Sequence, residues 1–81
     1  MSQKIKLPEL KQLSKEMKRF FFDQDTTLFN FCKSNPERFN FARTYDRLNR
    51  NSITVKEVNE IIHHFDKSKN ITLVNGEWKV V

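Results

Sequence analysis

Two adjacent histidines, His63 and His64, one cysteine, Cys32, and the stretch from Asp46 to Glu57 are where this chain could do acid–base or metal chemistry. An imidazole titrates near neutrality and could cleave RNA by acid–base catalysis, with an arginine or lysine steadying the phosphate. That reaction needs a second catalytic group, and no spacing in the sequence supplies one. Zinc needs ligands that converge, whereas adjacent helical residues point about 100° apart and lack the i, i+4 spacing of a paired site. The 46–57 stretch has the length of a calcium loop, with Ile53 eighth and Glu57 twelfth. Leu48 and Arg50, however, stand where oxygen ligands belong, and a guanidinium opposes a cation. The expectation is a non-enzymatic protein with no metal, no cofactor and no small-molecule substrate. The histidines then read as a partly exposed, pH-sensitive pair near Glu60 and Asp66.

The cations carry more information. The net charge is +5, with 15 basic and 10 acidic side chains. Residues 1–22 hold six basic against two acidic groups, residues 23–51 five against four, and residues 52–81 four of each, so the basic character belongs to the N-terminal half. Lys11, Lys15, Lys18 and Arg19 fall on one side of a first helix, away from Leu10, Leu13, Met17, Phe20 and Phe21. Arg43, Arg47 and Arg50 recur at i, i+4, i+7 on a third helix with Asn40 beside them. Guanidinium groups grip phosphates bidentately and stack on bases, so these seven residues are the candidate polyanion-binding set. Solvated or ion-paired faces, with Asp46 or Glu37 as partners, are the competing reading. Phe29-Asn30-Phe31 and Phe39-Asn40-Phe41, ten residues apart, would make a stacking platform for single strands if exposed. Residues i and i+2 of a helix point to different sides, so one ring of each pair is expected in the core and the other over a neighbouring helix.

Positioning these groups requires four helices, expected at about 8–22, 27–34, 36–49 and 54–67, behind a flexible basic N-terminus at 1–6. Pro8 suits the first helical position, where its missing N–H costs nothing. Asp25 or Thr26 is placed to cap the second helix, and Asn35, before Pro36, the third. Phe41, Tyr45 and Leu48 are expected to be buried. Thr54 and Glu57 read as a capping box, with Ile53 and Val58 as its hydrophobic staple. Val58, Ile61, Ile62 and Phe65 then form one apolar stripe. Asn75-Gly76 is the preferred pair for a type I′ turn in a hairpin at 71–81, which sets Ile71 opposite Val80 and Leu73 opposite Trp78 on one apolar face. The fold class is α+β: one small helical domain of three to four helices ending in a C-terminal β-hairpin.

Helix, tight polar turn (50–53), helix and Asn-Gly hairpin, across residues 36–81, is similar to the order of elements in a winged-helix domain. The resemblance implies that the helix before the hairpin docks in a major groove. Here that helix offers Lys56, Asn59, Glu60, His63 and Lys67, a nearly neutral face, so contacts through the first and third helices are expected instead. The richness in Phe, Lys and Asn resembles that of small phage accessory proteins from AT-rich genomes, which bind host machinery, defence enzymes or nucleic acid. This likeness is of composition and carries over no residue. The leading expectation is a cytoplasmic nucleic-acid-binding protein, for RNA or DNA, gripping phosphates through its basic helix faces. The alternative is a protein-interaction module or inhibitor that binds a nucleic-acid-processing enzyme or toxin, with RNA as a possible bridge. A lone cysteine and a polar, basic start with no apolar run fit a reducing compartment and no membrane span.

Overall fold

Helix α1 (Glu9–Asp23) is the scaffold of the computed structural model, which describes residues 3–5, 9–50 and 52–81. Its stripe of Leu10, Leu13, Met17, Phe20 and Phe21 is buried along its whole length. Helices α2 (Leu28–Ser34), α3 (Phe41–Asn49) and α4 (Val55–Phe65) follow, and the chain ends in an antiparallel hairpin of β3 (Ile71–Val74) and β4 (Glu77–Val80). The fold is therefore a small α+β domain of four helices with a C-terminal hairpin. Pro8 and Asn51, on which the expected first-helix start and the polar turn partly rest, lie outside the described residues.

The hairpin has the expected register, with Val74 opposite Glu77, Leu73 opposite Trp78, Thr72 opposite Lys79 and Ile71 opposite Val80. Asn75 and Gly76 take φ of 53° and 80°, as a type I′ turn demands. β4 lies against α1, whose polar side chains complete the strand's outward hydrogen bonds. Gln12 donates from Nε2 to the Trp78 carbonyl (2.8 Å) and accepts at Oε1 from the Trp78 amide (2.6 Å). Glu16 accepts from the Val80 amide (2.8 Å), and Glu9 from the Trp78 indole (3.0 Å). The expected apolar face is only partly buried. Ile71 and Trp78 are enclosed, but Leu73, next to the tip and beyond the helices, remains 47% exposed.

Part of the segment expected to be a flexible N-terminus, the described residues 3–5, is tied into the fold. Lys4 and Ile5 form β1, paired antiparallel with β2 (Ile53–Thr54), and Ile5 is fully buried. A single apolar side chain among polar neighbours gives no periodicity, so this strand had no sequence signal.

Three helix ends also differ. Asp25 does not cap α2: at φ 56° it closes α1, with the Thr26 amide reaching back to the Phe21 carbonyl and its own amide to Phe22. Thr27 caps α2 instead, its hydroxyl accepting from the Asn30 amide at 3.1 Å. Asn35 ends α2, donating its side-chain amide to the Phe31 carbonyl, so residues 36–38 form a turn and α3 starts late, capped by Asn40. Asp66 stops α4 at Phe65, because its carboxylate takes the amide and hydroxyl of Ser68 (2.9 and 2.6 Å). The start of α4 is as expected at Thr54, whose hydroxyl accepts from the Glu57 amide. The Glu57 carboxylate, however, takes the Thr54 hydroxyl and Arg47.

Phe20, Phe21, Phe31, Phe39 and Phe65 form one aromatic cluster, with ring centroids 4.9–6.0 Å apart, that joins α1, α2 and α4. Phe20–Phe21, Phe20–Phe65 and Phe21–Phe65 pack edge-to-face, which adds to simple burial.

Candidate nucleic-acid interface

The seven candidate cations are divided by the fold into groups with different surroundings. Lys11, Lys15 and Lys18 are exposed on α1 at i, i+4, i+7, which places them on one stripe of that helix. Among the described residues no carboxylate pairs with any of the three. Arg19 lies further round the helix and is held there: its Nε and guanidinium nitrogen donate to both oxygens of Glu16 (2.9 and 2.7 Å), and Asp23 takes the other nitrogen. Glu16, only 5% exposed, thereby joins Arg19 to β4. The Arg19 guanidinium holds the Glu16 carboxyl below the usual carboxylate range, and the Val80 amide acts in the same direction.

On α3 the expected row of three arginines is not a uniform exposed face. Arg47 turns toward α4, pairing with Glu57 at 2.7 Å and donating to the Ser52 carbonyl at 3.1 Å. Arg43 is exposed on a groove of about 480 Å³ that it shares with Arg38 and Arg47, but Glu37, Glu57 and Glu60 line the same groove and offset them. Arg50 is exposed at the end of α3. Arg43 and Arg47 thus line one groove, while Lys18 of the α1 stripe lines another.

What α1 and α3 do share is a second groove, of about 330 Å³, whose lining includes Met17, Lys18, Phe22, Phe29, Phe41 and Tyr45. Its rim rings are open to solvent: Phe22 is 79% exposed, Phe29 53% and Tyr45 41%. Tyr45 and Phe41 were expected in the core; of that trio only Leu48 is buried, and Phe41 is half-buried. The wall is built ring on ring, Phe29 edge-on to Phe41 at 5.2 Å and Phe41 beside Tyr45 at 5.5 Å. The Ser14 hydroxyl, bonded to Asn49 at 2.7 Å, ties α1 to α3 alongside. Phe22 stands four residues beyond Lys18, so the lysine stripe runs into the aromatic rim. The sequence did contain a signal for this: three consecutive phenylalanines on one helix, 20–22, cannot all face the core. Of the two repeated Phe-Asn-Phe segments, Phe31 is buried and Phe29 is not, while Phe39 and Phe41 are both half-buried.

The remaining candidates are kept apart by the fold. His63 Nε2 lies 2.8 Å from Asn70 Oδ1, while the His64 ring packs edge-on to Phe31, so the two imidazoles have separate surroundings. Among the described residues no three His, Cys, Asp or Glu side chains gather as a metal site. Burial pushes the Cys32 thiol above its ordinary pKa. The outer face of α4, which a winged-helix mode would present to DNA, is partly engaged by the loop and strand after it: besides His63, Asn59 accepts from the Ile71 amide at 2.8 Å. No helix among the described residues is long and apolar enough to cross a membrane.

No protein-family model matches the chain, and no curated protein or solved structure matches it.

Proposed function

We propose that this protein is a small non-enzymatic nucleic-acid-binding domain that holds the phosphate backbone along α1. The observation that carries this is the Lys11, Lys15, Lys18 stripe. Like charges three and four residues apart on a helix repel, each pair costing a few tenths of a kcal/mol, and no carboxylate among the described residues relieves them. A phosphate strand relieves all three, and counterions released from that strand favour binding entropically. The half-buried Arg47 is occupied by Glu57, and Arg19 by Glu16 and Asp23, so the first-choice contacts are the three lysines, with the exposed Arg43 and Arg50 as further positive charge.

The test is fluorescence anisotropy of labelled single-stranded RNA, single-stranded DNA and duplex DNA from 50 to 200 mM salt. Three phosphate contacts predict a log–log slope near −2 for single strands, roughly a twenty-fold loss across that range. The variant carrying Lys11→Ala, Lys15→Ala and Lys18→Ala should show a slope shallower by about 2, leaving only the contribution of Arg43 and Arg50. Absence of binding at 50 mM salt, or an unchanged slope in the triple variant, overturns the proposal. The apolar rim of the second groove favours one other reading, a protein-interaction module, which predicts a partner retained at high salt.

A further inference from the structure

We infer that the groove between α1, α2 and α3 is a base-stacking site, so that the strand held by the lysines is single-stranded. This inference rests on the nucleic-acid reading above and adds to it the state of the ligand. Of the eight phenylalanines, Phe20, Phe21 and Phe31 are buried and Phe39, Phe41 and Phe65 are half-buried against the core, while Phe22 and Phe29 project into solvent around one groove. Leaving two such rings in water forfeits the burial that stabilises the others, unless a bound group covers them.

Shape and charge both point to a base as the cover. The groove's volume of about 330 Å³ is at the small end of the roughly 300–1,000 Å³ typical of small-ligand sites, suited to a flat ring rather than a packed helix. Thr26, Thr27 and Asn49 also line the groove, Thr27 accepting from the Asn30 amide and Asn49 bonded to Ser14 and to the Tyr45 carbonyl. Lys18 lines the same groove, and Lys15 and Lys11 continue from it along α1, spanning about 10 Å at 1.5 Å per residue. A base seated between Phe22 and the Phe29–Phe41–Tyr45 wall therefore leaves its backbone at the start of the lysine stripe. Duplex bases are already stacked on each other and cannot reach these rings, so the site selects unpaired nucleotides.

The experiment compares wild type, Phe22→Ala and Phe29→Ala on three probes: a short single-stranded oligonucleotide, the duplex of the same sequence, and an abasic single strand with the same number of phosphates. Phe22 is largely exposed, so Phe22→Ala should keep the wild-type melting temperature; Phe29→Ala also loses its ring contact with Phe41, so its binding is measured at a temperature where its melt shows it fully folded. The inference predicts tighter binding of the single strand than of the other two probes. Each alanine should weaken single-strand binding by roughly 5- to 150-fold, the value of one stacked base, without changing the salt slope. Equal affinity for the abasic probe, or ring variants that bind the single strand normally, would overturn the stacking site while leaving the lysine contacts standing. Loss of all binding at low salt would overturn the nucleic-acid reading itself. A leucine-rich acidic peptide serves as the competing arm. If it binds at high salt in a Phe22-dependent way and no oligonucleotide displaces it, the groove takes a protein segment and the inference fails.

Discussion

The two long sides of α1 end in opposite conditions. On the side that meets β4, every polar group with a visible task is occupied: Gln12 completes the Trp78 backbone, Glu9 takes its indole, and Glu16 binds both the Val80 amide and Arg19. The apolar rings there, Trp78 included, are buried. On the solvent face that leads to the α3 side, three lysines have no carboxylate partner among the described residues, and beside Lys18 three aromatic rings face water. The same helix thus carries a junction whose interactions are complete within the chain and a surface whose interactions are not. Burial and hydrogen bonding explain the first side; on the function proposed above, a bound strand completes the second.

The largest effect should come from the completed side. Trp78→Ala removes a buried indole and the bond to Glu9, and should cost about 3–5 kcal/mol, enough to lower the melting temperature by well over ten degrees in a domain this small. A small shift would mean that the hairpin is not docked on α1. Next, Glu16→Ala leaves the Val80 amide and Arg19 without their partner and should cost about 1–3 kcal/mol in urea denaturation. Its pH dependence has a definite sign. The folded pKa of Glu16 is lowered, so the unfolded chain binds the proton more readily. The stabilisation is therefore complete above the ordinary carboxylate range and fades as pH falls through the lowered folded value. Glu16→Gln should flatten the acid side of a stability–pH profile, and an unchanged profile would remove Glu16 from the account.

Thr54→Ala, at the cap of α4, should cost roughly 0.5–2 kcal/mol. Gly76→Val should cost a similar amount or more, because φ of 80° is unfavourable for a β-branched residue although the space around Gly76 is open. Both can be read from thermal melts. The smallest effects on stability belong to the other side of α1, where Phe22→Ala and Lys15→Ala should each stay within about 0.5 kcal/mol of wild type. A large loss of stability from Phe22→Ala would erase the distinction between the two sides.

Much of this was legible in the residues, for reasons that also explain what was not. The Thr54 cap, the apolar stripes of α1 and α4 and the Asn75-Gly76 register are local signals, each complete within a few residues. Ile5 and Glu16 were hidden because their roles depend on partners far along the chain, Ile53 for one and Val80 for the other. The cap of α3 moved from Asn35 to Asn40 because two asparagines of equal propensity compete and Asn35 is taken up by the end of α2. For the candidate site, helical spacing placed Lys11, Lys15 and Lys18 on one stripe of α1, but it grouped Arg19 with them and could not show that Arg19 would pair with Glu16 and Asp23 or that Arg47 would meet Glu57 across a turn. Nor could it place Phe22, Phe29 and Tyr45, from three different helices, around one groove.

The most direct test of the central claim, that the α1–α2–α3 side is the working surface, is amide chemical-shift mapping of this 81-residue chain titrated with a short single-stranded oligonucleotide. The account predicts shifts concentrated at residues 11–29 and 41–49, with residues 71–81 undisturbed. Shifts centred instead on the outer face of α4 and the hairpin, as winged-helix docking would produce, would contradict it.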